Sequence, residues 1–202
     1  MPSWSVVVPA KRLDAAKSRL RPLTDALGTA HAELVLALLA DTVAAAVSCP
    51  AVADVVVVTD EPAAGAVARA LGARTVADAP GAGLNPALEH GARTAAAGAV
   101  AALSSDLPAL RPAELAAALA AAVEVPRAFV ADAQGTGTTL LTAVGTALRP
   151  RFGPASAEAH LADGAVALTG EWPGLVRDVD TEADMRVALG LGVGPRTAAL
   201  LG

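Results

Sequence analysis

Short β-branched runs alternate with longer alanine-rich stretches up to Asp132. Ser5–Val8, Val55–Thr59, Arg74–Ala77, Val100–Ser104 and Ala128–Ala131 each predict a strand. Between them the spacing predicts helices from about Ala26 to Val47, over Pro62–Leu71, over Asn85–Ala97 and over Pro112–Val123. Pro62 sits where a first turn tolerates proline, and Gly72 stands where a helix stops. After Asp132 the rhythm changes. Thr138–Thr142 predicts a strand, Pro154–Ala162 a helix and Leu175–Val179 a late strand. Thr181–Leu189 then opens as a helix with Thr181 as N-cap and Asp184 at the third helical position. Apolar strands separated by helices imply an α/β chain, with a mostly parallel sheet covered on both faces. No repeat and no Pro/Gly/Ser-rich linker divides the chain, so residues 1–202 are expected to form a single domain. In open sheets of this kind ligands bind at the carboxyl ends of the strands, so the residues just after strand ends matter most.

Composition narrows the core and excludes several classes. Hydrophobic residues are 54% of the chain but aromatics only 2%, so the core must be built from Val, Leu and Ala. The net charge is −5 and there is no basic tract, which gives no footprint for nucleic acid. One cysteine, Cys49, excludes an internal disulfide and a cysteine-cluster zinc site. The first residues lack the charged and apolar regions of a signal peptide. Glu33 and Asp41 interrupt the apolar run from Ala32 to Val47, which reads as a buried helix rather than a membrane span. A cytoplasmic location is the expectation.

Five segments carry candidate chemistry. The loop after the first strand places Lys11, Arg12, Lys17 and Arg19 within nine residues of an otherwise acidic chain. It is either a triphosphate-binding loop or a solvated basic one. In Gly81-Ala82-Gly83-Leu84-Asn85-Pro86, two glycines let backbone approach a ligand; the plainer reading is a loop with Asn85 as N-cap and Pro86 at the first helical position. Asp106, before Leu107-Pro108, is expected at a solvent-facing strand end, where a carboxylate suits Mg²⁺; it is otherwise a turn-forming residue. Asp178 and Asp180 are two apart, so on an extended chain they share a face and repel unless a cation lies between them; the plainer reading is that Asp180 just starts the following helix. Gly135-Thr136-Gly137-Thr138-Thr139 and Arg151-Phe152-Gly153-Pro154-Ala155-Ser156 offer hydroxyls and glycine N–H groups for a small anion, or form a hairpin turn and an N-capped helix. His31, His90 and His160 show no metal spacing and read as surface or helix histidines. There is no GxxxxGK[ST], no GxSxG and no GxGxxG after the first strand, which weakens ATPase, hydrolase and dinucleotide-oxidoreductase readings.

In order, Pro9-Ala10-Lys11 with Ala16-Lys17-Ser18-Arg19-Leu20, Gly83-Leu84-Asn85, Asp106-Leu107-Pro108, the Gly135–Thr139 run, the Arg151–Ser156 run and Asp178-Val179-Asp180-Thr181 resemble the 2-phospho-L-lactate guanylyltransferase family. The closest likeness is to its actinobacterial branch, which acts on phosphoenolpyruvate in biosynthesis of the deazaflavin coenzyme F-420. Related molybdopterin and sugar nucleotidyltransferases usually carry a glycine pair in the first loop, where this chain has Pro9-Ala10-Lys11. The resemblance implies a three-layer αβα sandwich with a mixed, mostly parallel sheet, like the nucleotide-diphospho-sugar transferases. It implies GTP as donor, Mg²⁺ as cofactor, pyrophosphate as leaving group and a small phosphorylated three-carbon acid as acceptor. It implies metal ligands at Asp106, Asp178 and Asp180, and acceptor contacts at Thr138, Gly153 and Ser156. Pro9, Lys11, Lys17, Arg19, Gly83 and Asn85 would lie along the nucleotide, with Lys17 and Asp106 as the catalytic pair. Other acceptors (2-phospho-L-lactate, molybdopterin or a sugar phosphate) and a non-catalytic nucleotide-binding subunit stay open, as does a homodimer. No nucleic-acid or membrane partner is expected.

Overall fold

The computed structural model of the chain describes residues 3–10, 18–28, 30–78, 81 and 83–201. Its strands are β1 (Trp4–Pro9), β2 (Val52–Val58), β3 (Arg74–Val76), β4 (Ala99–Leu103), β5 (Arg127–Ala131), β6 (Thr138–Val144) and β7 (Val166–Ala167). Its helices are α1 (Arg21–Leu27), α2 (His31–Val47), α3 (Pro62–Ala70), α4 (Leu84–Arg93), α5 (Pro112–Ala122), α6 (Ser156–Ala162), α7 (Glu182–Leu191) and α8 (Pro195–Leu201). The strands form one sheet in the order β3-β2-β1-β4-β6-β5-β7. β6 runs antiparallel to both its neighbours, and the other pairings among the described residues are parallel.

Alternation along the strands feeds two separate cores. Val6, Val8, Val57, Ala101 and Leu103 face one side, where α2 brings Leu39 and Val43, α3 Ala64 and Ala68, and α5 Leu115 and Leu119. Val7, Val58, Ala102, Phe129 and Leu141 face the other, against Ala87 and Leu88 of α4 and Ala157 of α6. The result is the three-layer αβα sandwich that the sequence implied. Alanine keeps these layers close, and at one place even alanine is too large. A Cβ on Gly91 would stand 2.5 Å from Val7 Cγ1 and 2.6 Å from Val58 Cγ2. Glycine there lets α4 lie directly on β1 and β2, which aims its first turn at the carboxyl edge of the sheet.

Three expectations change. The long helix from Ala26 breaks into α1 and α2, because Gly28 turns left-handed (φ 64°) and its N–H closes α1 on Thr24 and Asp25 carbonyls. Leu175–Val179 joins no strand ladder. Its Leu175 and Val179 are fully buried as plugs under neighbouring elements, and the Val179 N–H bonds the Asp106 carbonyl at 3.1 Å. Asn85 does not cap α4; Gly83 occupies that position without a side-chain bond. Asp41 is buried in α2, its carboxylate accepting from Arg196 N–H at 3.2 Å and Thr197 N–H at 2.8 Å, so this charge anchors α8.

The capping box at Thr181 holds as expected. Thr181 Oγ1 accepts from Asp184 N–H at 3.2 Å, and Asp184 Oδ2 accepts from Thr181 N–H at 2.9 Å. Thr181→Ala is therefore expected to cost about 1 kcal/mol, read as a lower urea midpoint with an unchanged slope. Thr181→Ser should retain most of it. Among the described residues no helix is long and apolar enough to cross a membrane.

Candidate active site

The carboxyl ends of β1 to β4 and the start of β6 lie at the same edge of the sheet, because β6 runs the other way. Ser104, just past β4, donates its N–H to the Thr139 carbonyl at 2.8 Å and its hydroxyl to the Thr138 carbonyl at 3.4 Å. The chain then enters Asp106-Leu107-Pro108, where Leu107 N–H bonds Thr42 Oγ1 of α2 at 2.9 Å and the Pro108 carbonyl accepts from Gly194 N–H at 2.8 Å. The Asp106 side chain is buried to 9% exposure, not solvent-facing as expected. Its backbone carbonyl holds Val179, and Val179 turns into the core with Leu38 and Met185. Asp178 and Asp180 flank that buried residue, half-buried and exposed respectively, so the pair faces away from the core. Arg177 pairs with Asp184 at 3.7 Å on the same segment.

These two segments are thus joined through backbone at Asp106 and Val179. Among the described residues no three His, Cys, Asp or Glu side chains converge as a ready-made metal cage. Carboxylate donors beside an open edge still fit Mg²⁺, which is commonly held by one or two carboxylates completed by substrate phosphate oxygens.

The second half of the site is a loop tied down at nearly every residue. Asp132 builds the Gly135–Thr139 turn: its carboxylate accepts from Thr136 N–H at 2.9 Å and Gly137 N–H at 2.8 Å. Those two N–H groups are consequently not available to an anion, which corrects that part of the expectation. Asn85 grips the backbone of Phe152 in both directions, accepting from its N–H at 2.8 Å and donating to its carbonyl at 3.0 Å. Gly153 (φ 140°) makes a turn that requires glycine, and its carbonyl accepts from Ser156 N–H at 3.2 Å. Ala155 follows in the left-handed region (φ 54°), an uncommon conformation for a residue with a Cβ. Ala157 N–H bonds the Thr136 carbonyl at 3.1 Å, so the turn and the loop brace each other. Thr138 and Ser156 are both buried, at 6% and 2% exposure.

Of the two readings the sequence left for His160, surface or helix, the structure gives the second: it lies on α6, at the centre of this assembly. It is fully buried, with Nδ1 at 2.9 Å from Thr138 Oγ1 and Nε2 accepting Arg151 N–H at 2.9 Å. Phe152 meets its ring edge-on with centroids 5.3 Å apart, and Phe129 lies at 5.8 Å. Burial pushes its pKa down to about 4, assisted by Arg127 and Arg151 and opposed by Asp163 and by the hydrogen bond to the Ser156 backbone, so the ring is neutral at ordinary pH. Asp163 is held by Arg127, whose hydrogen bond lowers the carboxyl pKa. The one sequence signal for His160 was its spacing of four from Ser156 on a helix, which puts both on one face.

On the donor side, Pro9 ends β1 half-buried, Arg19 is exposed in the three-ten turn Ser18–Leu20, and Gly83 is exposed at the head of α4. Lys11, Arg12 and Lys17 lie outside the described residues.

Residues 4–166 match the family model described as "Guanylyl transferase CofC like". Phosphoenolpyruvate guanylyltransferase of Geodermatophilus obscurus is 71% identical over 203 aligned residues, covering 99% of this chain and 94% of that protein. Among solved structures, a nucleotidyl transferase from Methanothermobacter thermautotroptrophicus superposes with a TM-score of 0.69 at 26% identity, covering 94% of this chain and 97% of that one. A Desulfovibrio desulfuricans protein provisionally described as a nucleotide-diphospho-sugar transferase also gives 0.69, at 19% identity, which speaks for the fold alone. With its sheet order, its carboxylate edge and these matches, the chain belongs to the CofC-like guanylyl transferase family and is a nucleotidyltransferase.

Proposed function

We propose that this chain transfers GMP from GTP to phosphoenolpyruvate, giving enolpyruvyl-diphospho-guanosine and pyrophosphate, and so serves biosynthesis of the deazaflavin coenzyme F-420. The whole chain acts as one nucleotidyltransferase domain. The observation that carries the reading is the braced pair of turns around Thr138, Gly153 and Ser156, beside the carboxylates of Asp106, Asp178 and Asp180. One half suits a small anion and the other a triphosphate with its cation. The name of the Geodermatophilus relative supports phosphoenolpyruvate as the acceptor.

The acceptor phosphate is already an anion at neutral pH and needs no general base. Its oxygen attacks the α-phosphorus of GTP in line, forming a new phosphoanhydride as the bond to the β-phosphate oxygen breaks. Asp106, Asp178 and Asp180 would hold Mg²⁺, which would supply charge neutralisation for the triphosphate and the leaving pyrophosphate. Hydroxyls of Thr138 and Ser156 and the Gly153 N–H orient the acceptor. Lys17 and Arg19 would supply positive charge to the triphosphate, so that two repelling anions can meet in a fixed geometry.

Lys17→Ala is expected to raise KM for GTP about tenfold and leave KM for the acceptor unchanged, the size of one charge-assisted hydrogen bond. Steady-state kinetics varying each substrate in turn decides this, and a change confined to the acceptor would move Lys17 to the other subsite. The reading as a whole is tested by incubating the enzyme with GTP, Mg²⁺ and either phosphoenolpyruvate or 2-phospho-L-lactate, with products read by mass spectrometry. Phosphoenolpyruvate is planar at its second carbon and phospholactate tetrahedral, a difference worth about 1–3 kcal/mol, so a partial preference for phosphoenolpyruvate is expected. A product pool dominated by the lactyl compound would overturn the acceptor and leave guanylyl transfer standing.

A further inference from the structure

We propose that His160 is a positioning residue for the acceptor subsite: it fixes the Thr138 hydroxyl as a proton donor toward the bound anion and pins the loop that begins at Arg151. This rests on the acceptor reading above and adds to it the residue that sets the polarity of the subsite.

The argument begins at Arg151. A backbone N–H can only donate, so His160 Nε2, 2.9 Å away, must be the acceptor nitrogen of the ring. A neutral imidazole then carries its proton on Nδ1. That proton faces Thr138 Oγ1 at 2.9 Å and the backbone carbonyl of Ser156, both of which accept from it. Thr138 therefore accepts from His160, and its own O–H proton is directed elsewhere. Among the described residues its hydroxyl has no other partner, and Thr138 keeps 6% of its surface exposed at the edge where β6 begins. A hydroxyl that has spent one lone pair on a fixed donor presents its proton outward, which suits a phosphate or carboxylate oxygen. The opposite tautomer would leave Arg151 N–H facing an N–H and would let Thr138 turn its proton inward. Burial of the ring between Phe129 and Phe152 holds it in place. The same ring thus sets a hydroxyl on β6 and the entry of the 151–156 loop, while Asn85 grips that loop one residue later. His160 has no nitrogen left for proton transfer, which agrees with an acceptor that needs no base.

Three measurements test this. In His160→Phe, which keeps a ring and loses both hydrogen bonds, KM for phosphoenolpyruvate is expected to rise about tenfold or more, with KM for GTP within about twofold. His160→Asn, whose amide can still donate to Thr138, should recover part of that loss. Adding His160→Phe to Thr138→Val should raise the acceptor KM by less than the product of the single effects, because the two act as a unit. Equal rises in both KM values, or an unchanged acceptor KM in a folded variant, would overturn the proposal. Wild-type enzyme gives an answer even if a variant does not fold: long-range ¹H–¹⁵N spectra at neutral pH should show His160 protonated on Nδ1 alone, and a proton on Nε2 overturns it. If wild-type enzyme makes no product from phosphoenolpyruvate, the acceptor reading fails separately. The same KM comparison is then made with 2-phospho-L-lactate, and the nitrogen shifts still decide whether His160 orients Thr138.

Discussion

Asp106→Asn is expected to lower turnover by about 100- to 1000-fold and to leave the fold intact. The amide has the shape of the carboxylate but not its charge, and the backbone carbonyl that holds Val179 is untouched. The substitution keeps the size and shape of a side chain held at 9% exposure, so the packing around it is preserved. The loss therefore falls on catalysis, where two phosphate groups must be brought together against their repulsion. Single-turnover rates at saturating GTP over a range of Mg²⁺, with circular dichroism as control, make the comparison. Near-normal activity at limiting Mg²⁺ would remove Asp106 from the ligand set. Asp178→Asn and Asp180→Asn should act in the same direction, the exposed Asp180 more mildly, as expected of a carboxylate that only orients the inner ligands.

The second large effect is on stability in acid. His160 has a pKa of about 4 in the folded protein against 6.5 for the free side chain. A histidine lowered in this way is neutral in both states above pH 6.5, where it contributes no pH dependence. Between pH 6.5 and 4 the unfolded chain takes up a proton that the folded one refuses, so stability falls as pH falls. From about pH 7 to about pH 4.5 this one ring should cost roughly 2.5 kcal/mol. Asp163 favours the charged ring, while Arg127 and Arg151 oppose it; Phe129 and Phe152 pack on it without charge. Urea unfolding at both pH values, with wild type and His160→Asn, isolates the effect. The variant starts lower at neutral pH and should show a shallower decline. Parallel declines would mean that His160 titrates normally in the folded state.

The sheet was legible because alternating apolar runs encode which face is buried, and five parallel strands fall close to where the pattern put them. Facing is all that alternation encodes. Leu175 and Val179 alternate and are buried as expected, yet the segment finds one carbonyl, that of Asp106, and no ladder. The break at Gly28 is not encoded in apolar periodicity, which runs from α2 back through a residue that turns left-handed. The site divides in the same way. Its chemical groups stood out as short motifs, since each motif is local in sequence. What braces them did not: Asn85 reaches Phe152 across 67 residues, and His160 reaches Thr138 across 22. A lone histidine in an alanine-rich helix gives no sign that two distant segments meet on its ring. Asp132 and Asp41 are similar cases, charges whose role as ligands of distant or neighbouring backbone N–H groups no local pattern encodes.

The reversed strand β6 also bears on how the chain is assembled as it leaves the ribosome. β4 is complete by Leu103 and β5 by Ala131, but neither pairs with the other; β6 lies between them. The middle of the sheet cannot close until residues 138–144 have emerged. Until then the apolar edge of β4, Ala99–Leu103, is an unpaired template of the kind that recruits other chains. A nascent chain that has emerged only as far as residues 104–137 thus exposes this edge, and the emergence of Thr138–Val144 is what covers it.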